Sequence, residues 1–275
     1  MPLPNLIIIG AMKCGTTSLH FQLRHHPQIA MSRSKELNFF VESRNWRRGV
    51  EWYAARFSSG TAIRGESSPG YSNAARFPGV PGRMHSVLPD ARLVYMVRDP
   101  IERLISQWVH TIAEGTERRP LADAAADELY IDGSRYWRQI SAYLEHYSPS
   151  RILVVAMEDL SRDQPSTVRR VLEFLDVDPD VPLPDLRKHR SDRKRLRTSA
   201  GEWLYRSALE RVVNALPQWA RWRVMRDFFG YWPLSRPFPR PPLSARDRGA
   251  LAERLRDDAA RFRAFAGREF ADWSV

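Results

Sequence analysis

The chain has 275 residues, of which 43% are hydrophobic, so it can bury a substantial core in one large or two small domains. No apolar run approaches the ~18 residues of a membrane span, no secretory leader is recognisable, and a single cysteine excludes a disulfide framework, so we expect a cytoplasmic protein without a membrane span. The net charge of +11 suits an anionic partner, but only four of the 43 basic residues are lysines, and this arginine excess equally fits a bacterial genome-wide coding bias.

Short apolar runs alternate with helical patterns along the first two thirds of the chain. The predicted strands are 6–9, 29–32, 62–65, 91–97 and 151–157, and the predicted helices are about 17–25, 100–113 and 165–175. In the last of these helices one face is formed by Val168, Val171, Leu172 and Leu175. Continuous apolar strands separated by helices are typical of a parallel sheet covered on both sides, so the predicted fold class is α/β.

The last third of the chain has a different composition. Residues 187–197 read RKHRSDRKRLR and are predicted as a solvated basic loop, and 201–243 are rich in Trp, Arg and Pro. Residues 244–266 are predicted as an amphipathic helix with a packing stripe of Leu251, Leu255, Phe262 and Phe265. We find no internal repeat and expect a single domain over 1–275, with 187–243 as a variable segment.

The first strand leads into a loop with the glycine spacing of a phosphate-binding loop, LIIIGAMKCGTTSL. Gly10 and Gly15 match the Walker A spacing, but Thr16 stands where that motif has its lysine, and Lys13 precedes the second glycine. A strand, a glycine turn and a helix start direct backbone N–H groups and the positive helix end at an anion. Hydroxyl donors follow at Thr16, Thr17 and Ser18. An ordinary strand–turn–helix corner is the alternative interpretation.

A second motif follows the strand at 91–97 and reads R-D-P-x-x-R-x-x-S. Arg98 leaves the carboxyl end of this strand, at the edge where open α/β sheets bind ligands. Pro100 suits a first helical turn, and Ser106 comes roughly two turns later. Arg98 and Ser106 are therefore predicted to hold one more phosphate group.

These two motifs together resemble those of the PAPS-dependent sulfotransferases. IIIGAMKCGTTSL is similar to the 5′-phosphosulfate loop of that family, and LVYMVRDPIERLISQW to its 3′-phosphate motif. KELNFF at 35–40 and GESSPGYS at 65–72 resemble the acceptor-side motifs of the heparan sulfate sulfotransferases and their bacterial relatives. The resemblance implies a P-loop-like central parallel sheet flanked by helices on both faces.

The resemblance also implies a reaction and a set of site residues. A sulfonate passes without a metal from 3′-phosphoadenosine-5′-phosphosulfate (PAPS) to an acceptor hydroxyl or amine, leaving adenosine 3′,5′-bisphosphate (PAP). Lys13 is implied to stabilise the leaving phosphate, and Glu36 to act as the general base. The implied nucleotide residues are Lys13, Cys14, Gly15, Thr16, Thr17, Ser18, Arg98 and Ser106, with Arg193, Lys194 and Arg195 as the stand-in for a basic loop of the family that has no clean match here. The implied acceptor residues are Lys35, Asn38, Phe39, Ser68, Pro69 and Tyr71.

Some of these assignments have alternatives. Asn38 stands where some relatives have a histidine, so a Glu–His arrangement is excluded, and His20 or Glu66 is the substitute base if the acceptor approaches from another side. The alternative interpretation of the Lys35–Glu36 dipeptide is a solvated surface pair without a catalytic role. Cys14 is expected to fill space rather than react, and Tyr136 to pack on a helix face rather than touch nucleotide.

The acceptor and the competing functions are less well defined. The acceptor is expected to be a small molecule, a glycan or a natural product, with 187–243 as its lid. A P-loop phosphotransferase needs a lysine after Gly15 and a strand-ending aspartate for magnesium, and the chain has Thr16 and Arg98 instead. A nucleic-acid-binding module is motivated by the net charge but leaves the phosphate loop unexplained, so we expect no nucleic acid partner. The sequence does not indicate the oligomeric state.

Overall fold

Five parallel strands form the central sheet, in the order β2-β3-β1-β4-β5. They are β1 (Leu6–Gly10), β2 (Ile29–Met31), β3 (Ile63–Ser67), β4 (Arg92–Val97) and β5 (Ile152–Ala156). The computed structural model describes residues 2–58, 60–185, 195–197, 216, 235–237 and 242–275. The predicted α/β class with a parallel central sheet is confirmed.

The register of the sheet brings the carboxyl ends of its strands to one edge. Leu6 of β1 is aligned with Gly65 of β3 on one side and with Arg92 of β4 on the other. Every residue of β1 is buried, and because successive side chains of a strand point to opposite faces, both faces of the sheet are covered there. The segments that follow β1, β3 and β4 therefore emerge next to one another.

Ten helices surround this sheet in the part of the chain that the structure describes. They are α1 (Thr16–Leu23), α2 (Gly49–Ala54), α3 (Val80–Val87), α4 (Pro100–Ala113), α5 (Leu121–Ala125), α6 (Glu128–Asp132), α7 (Tyr136–Leu144), α8 (Met157–Arg162), α9 (Gln164–Leu175) and α10 (Ala245–Ala266). Short 3-10 turns occur at Trp46–Arg48, Pro69–Ser72 and Pro149–Arg151. None of the described helices is both long and apolar enough to cross a bilayer.

Two apolar clusters hold the helices in place. The larger one contains the strands together with the predicted face of α9, all four residues of which are buried. The smaller one lies between α4, α5 and α6 and takes Leu251 and Leu255 from α10. Phe262 of α10 belongs to the larger cluster, so this helix joins the two clusters. Its predicted packing stripe is confirmed, except that Phe265 is only partly buried.

Two sequence predictions about local structure are wrong. The third strand does not end at residue 65 but continues through Glu66 to Ser67, because both polar residues are fully buried where the prediction required apolar ones. The basic stretch 187–197 is not a loop throughout, since Arg195–Arg197 (β6) pairs antiparallel with Ser235–Pro237 (β7). The rest of 187–243, apart from residues 216, 242 and 243, lies outside the described residues, and so do its tryptophans.

Arg103 of α4 is a structural residue of the interior. It is 1% exposed, and its guanidinium donates to Ser134 Oγ at 2.6 Å, Gln107 Oε1 at 2.7 Å and the Tyr130 carbonyl at 2.6 Å. Burial lowers the pKa of this arginine. Three charge-assisted hydrogen bonds offset the desolvation of the guanidinium and tie α4 to the turn between α6 and α7.

The Arg103→Met variant tests this role. It keeps much of the apolar stem but leaves the three acceptors without their donor, so we expect a loss of unfolding free energy of at least ~2 kcal/mol in urea denaturation. Arg256→Met is the control, because Arg256 is 65% exposed and, among the described residues, pairs only with Glu253 one turn away. Its effect should stay within ~0.5 kcal/mol. Equal stability of the two variants would contradict the structural role.

Candidate functional site

The loop after β1 joins the sheet to α1, and this loop and the first turn of α1 together contain most of the predicted nucleotide residues. Its first N–H, at Ala11, donates to the Met96 carbonyl of β4 at 2.6 Å and fixes the loop against the neighbouring strand. Gly15 precedes α1 in the left-handed region (φ 85°), and no side chain caps this end of the helix. The first turn of α1 also lacks an acidic residue. The positive helix end is therefore available to an anionic group.

Lys13 lies within this loop in a conformation that residues other than glycine rarely adopt, with φ 74°. Burial lowers the pKa of its amine, while the nearby carboxylates of Glu114 and Glu36 raise it. A partly desolvated ammonium interacts more strongly with nearby charge than one in bulk water. A strained backbone under a half-buried charge is typical of functional sites.

The end of β1 is in close contact with the turn that follows β3. A Cβ added to Gly10 would lie 1.7 Å from Ser72 Oγ and 2.8 Å from Ser72 Cβ, so only glycine fits at this position. The two loops therefore share one interface at the edge of the sheet.

Cys14 points away from the open side of the loop. Its thiol is fully buried and 3.6 Å from the hydroxyl of Tyr136, and burial raises the pKa of Cys14 to about 11. The side chain therefore fills space between the loop and α7, as expected from the sequence. Only the main chain of Cys14 remains for the nucleotide contact predicted there.

The second motif begins where β4 ends. Asp99 caps α4 by accepting from the Glu102 N–H at 2.8 Å, and its own N–H donates to Glu158 Oε1 at 2.8 Å. The guanidinium of Arg98 lies 3.6 Å from Glu102 and is 17% exposed. Glu102 also pairs with Arg248 at 2.9 Å, a shorter contact than the one with Arg98. Ser106 lies further along α4 and is 3% exposed.

Tyr136 holds this edge of the sheet to the phosphate loop. Its hydroxyl accepts from the Arg98 N–H at 3.2 Å and donates to the Arg98 carbonyl at 2.8 Å. The same hydroxyl contacts Cys14, and the ring packs on Tyr95, Phe262 and Trp273. The expectation that Tyr136 packs on a helix face agrees with its full burial.

The predicted acceptor segment, Lys35 to Phe40, crosses the edge next to β3. The Glu36 N–H donates to the Ser67 carbonyl at 2.9 Å, which attaches the segment to the carboxyl end of that strand. Lys35 and Glu36 form a 2.7 Å ion pair, with the lysine side chain 13% exposed and the glutamate 50% exposed. Glu36 and Asn38 both have positive φ, at 67° and 47°. The Lys35–Glu36 pair of the alternative interpretation is therefore present, on a strained backbone that is attached to β3.

Several predicted acceptor residues lie under this segment. Phe39 is fully buried and stacks on Tyr53 with ring centroids 4.2 Å apart. The hydroxyls of Ser68 and Tyr71 bind the buried carboxylate of Glu66, at 2.8 Å each. Pro69 begins the buried 3-10 turn. The structure gives these side chains internal partners, and their contact with an acceptor stays a prediction.

Neither of the substitute bases is suited to that role. His20 is fully buried in α1, and burial, with Lys35 and Arg24 nearby, lowers its pKa to about 3. Glu66 is also fully buried, and three hydroxyl groups donate to its two oxygens. Of the three candidates, Glu36 alone is substantially exposed.

The sheet therefore brings three predicted groups to one edge. Because β1 lies between β3 and β4, the Lys13 loop lies between the Glu36 segment on the β3 side and Arg98 on the β4 side. Lys13 and Glu36 are close enough for the glutamate to raise the pKa of the lysine. Arg193 and Lys194 lie outside the described residues, and only the backbone of Arg195 is described.

A family model described as "Sulfotransferase domain" matches residues 3–195 of the chain. The chain belongs to the sulfotransferase family. The family resemblance of the sequence is thus confirmed.

Individual relatives agree with this family. The membrane-associated sulfotransferase kil1 of Dictyostelium discoideum is 40% identical over 115 residues, which is 40% of this chain and 23% of that protein. Heparan sulfate glucosamine 3-O-sulfotransferase 5 of Homo sapiens is 29% identical over 195 residues, covering 65% of this chain and 55% of that protein. The chain thus spans between about a quarter and about half of the length of these curated relatives.

The solved structure of a sulfotransferase from Alicyclobacillus acidocaldarius has the same fold. It covers 100% of both chains with a TM-score of 0.72 at 23% identity. In the present chain, the described residues contain no group of three or more His, Cys, Asp or Glu side chains that could hold a metal ion. Independence of metals stays a prediction.

Sequence reasoning named Glu66 and Tyr136 but not the contacts by which they hold the site together, and it did not single out Glu158. Glu66, Tyr136 and Glu158 each bind main-chain or side-chain groups beside the predicted ligand residues. The one available signal was the position of Glu66 at the end of a strand, directly before Ser68 and Tyr71. Glu158 follows β5 in the same way but stands in no motif that we recognised.

The buried state of Cys14 gives a direct test of this loop geometry. With a pKa of about 11, only about one Cys14 thiol in a thousand is ionised at pH 8, and the thiol is also inaccessible. We expect iodoacetamide to leave the folded protein unlabelled by mass spectrometry and to label it once in urea. A Ser150→Cys variant, at an exposed position, should gain one label when folded. Rapid labelling of the folded wild type would contradict the packed loop.

Proposed function

We propose that this sulfotransferase transfers a sulfonate from PAPS to an acceptor hydroxyl or amine. The observation that carries the proposal is the position of Lys13, strained and half-buried between Glu36 on one side and the Arg98 edge on the other. PAPS, when bound, supplies an activated sulfonate on its 5′-phosphate. The protein binds the phosphates, stabilises the leaving phosphate and accepts the proton of the acceptor group.

The donor side of the proposal has an anion-binding character. The uncapped end of α1 and the hydroxyls of Thr16, Thr17 and Ser18 suit the 5′-phosphate, with Lys13 offsetting the charge that the leaving phosphate gains. Arg98 and Ser106 suit the 3′-phosphate, which distinguishes this donor from ADP-like nucleotides. Arg193, Lys194 and Arg195 stay candidates for the rest of this site.

The acceptor side needs a group that accepts a proton as the acceptor attacks sulfur. Glu36 is half exposed, and its main chain is fixed to β3. Its carboxylate pairs with Lys35, which orients it and leaves its second oxygen for the acceptor. A carboxylate held at the acceptor group is suited to general base catalysis.

The acceptor class follows only in outline. Several relatives are named for heparan sulfate, so a glycan hydroxyl or amine is the first acceptor to test, ahead of small molecules and natural products. Lys35 and Asn38 are the predicted acceptor contacts nearest to Glu36, and 187–243 is the predicted lid. A cytoplasmic location stays part of this proposal.

Nucleotide binding to an Arg98→Ala variant tests the donor. Calorimetry should show tight binding of PAP, weaker binding of 5′-AMP and no need for magnesium. Arg98→Ala should weaken PAP by ~2–4 kcal/mol, as expected for loss of one partner of a charged pair, and barely change 5′-AMP. Arg169→Ala is the matched control, since Arg169 also pairs with a glutamate four residues on. Preferential binding of ATP with magnesium would instead support a P-loop phosphotransferase.

Turnover of a Glu36→Gln variant tests the base. The acceptor is first sought by incubating the protein with PAPS and glycan or metabolite extracts and searching by mass for a gained sulfonate. On that acceptor, Glu36→Gln should lower turnover at least ~100-fold, because the amide cannot take the proton. PAP affinity should stay within about twofold, since the lost interaction acts only in the transition state. Glu42→Gln, at a 61% exposed carboxylate, is the control. Near-normal turnover of Glu36→Gln would remove Glu36 from the mechanism.

A further inference from the structure

Glu66 is a carboxylate in the interior of the protein that the proposed reaction does not use. It is fully buried at the carboxyl end of β3. Its Oε1 accepts from the Tyr53 hydroxyl at 2.6 Å and from the Tyr71 hydroxyl at 2.8 Å, and its Oε2 accepts from Ser68 Oγ at 2.8 Å. Burial raises the pKa of Glu66, whereas these hydroxyl donors lower it. A buried carboxylate whose oxygens both accept hydrogen bonds specifies the arrangement of the groups around it.

Two of the three hydroxyls continue to the main chain of the Glu36 segment. Ser68 Oγ accepts from the Asn38 N–H at 3.0 Å, and the Tyr71 hydroxyl accepts from the Phe39 N–H at 2.8 Å. Each hydroxyl has one proton of its own. It accepts from the N–H with a lone pair and donates its own proton to Glu66. In both series of hydrogen bonds, the main-chain N–H therefore donates to the hydroxyl, and the hydroxyl donates to the carboxylate.

The segment held in this way needs such support. Glu36 and Asn38 have left-handed backbone conformations that residues with a side chain rarely adopt. Within the segment, Asn38 Nδ2 donates to the Glu36 carbonyl at 2.9 Å, and the Glu36 N–H is bound by β3. A strained conformation persists only when its surroundings enforce it, and the two hydroxyl bridges enforce this one.

We propose that Glu66 is a positioning residue, which acts through Ser68 and Tyr71 to hold Glu36 at the sheet edge beside Lys13. The inference rests on the proposed function for the role of Glu36. It also gives Ser68 and Tyr71 a task different from the one that the sequence implies. They orient the base from beneath and do not contact the acceptor.

Tyr53 provides a matched control. Its hydroxyl donates to the same oxygen of Glu66 as that of Tyr71, but within the described residues it has no main-chain partner in the Glu36 segment. Both tyrosines are buried, and Tyr→Phe keeps either ring. Tyr53→Phe and Tyr71→Phe thus each remove one hydrogen bond to the same oxygen of Glu66. Only Tyr71→Phe also removes a hydrogen bond to the main chain of the Glu36 segment.

The first measurement needs no acceptor. Amide hydrogen exchange by NMR should speed up on the order of tenfold at Phe39 in Tyr71→Phe and at Asn38 in Ser68→Ala, since each amide loses a hydrogen bond. Tyr53→Phe should leave both amides within twofold of the wild type. Equal exchange in all three variants would overturn the inference, whether or not the protein is a sulfotransferase.

The second measurement uses PAPS and the acceptor found for the wild type. Tyr71→Phe and Ser68→Ala should lower kcat on the order of tenfold with an unchanged acceptor KM, and Tyr53→Phe should stay within twofold. A raised KM with normal kcat would mean direct acceptor contact and would overturn positioning. An equal kcat loss in Tyr53→Phe would overturn it too, by indicating general loosening. A wild type that transfers no sulfonate would instead count against the proposed function, and the exchange result would still decide whether the hydroxyls of Ser68 and Tyr71 that bind Glu66 hold the segment.

Discussion

The whole site depends on the parallel pairing of β1 with β3 on one side and β4 on the other. Parallel strands end at the same edge, so three segments that are distant in sequence start from adjacent points. Each segment then contributes a different chemical group: an ammonium at Lys13, a carboxylate at Glu36 and a guanidinium at Arg98. A sheet with another strand order would separate these groups even if every motif were kept.

The pairing of the strands fixes where the three segments start, and buried polar side chains fix the path that each segment follows. Tyr136 binds both main-chain groups of Arg98, and Glu66 holds the Glu36 segment through two hydroxyls. Arg103 likewise fixes α4 to α6 and to the turn before α7, through Tyr130 and Ser134. Because a buried polar group without its partner is costly, each of these side chains specifies one arrangement of its neighbours. The loops at the edge are therefore as rigidly specified as the sheet.

Much of this arrangement could be predicted from local sequence, but the supporting contacts could not. The start of α4 was predicted correctly because Pro100 and the capping Asp99 are local signals. The end of β3 was missed because Glu66 and Ser67 are polar, and their burial depends on Tyr53 and Tyr71 elsewhere in the chain. The structural role of Arg103 was not predicted either, since its partner Ser134 is 31 residues away. A motif states which residue types occur together, whereas burial decides which of them face a ligand.

The contact between Gly10 and Ser72 has a consequence for altering this protein. The turn Pro69–Ser72 lies on the proposed acceptor side, yet the Ser72 side chain occupies the space beside Gly10, where the loop proposed to bind the donor begins. A larger residue at position 72 would push on the donor loop, and any side chain at position 10 would push on the turn. Attempts to change acceptor choice through this turn would therefore disturb the donor side as well.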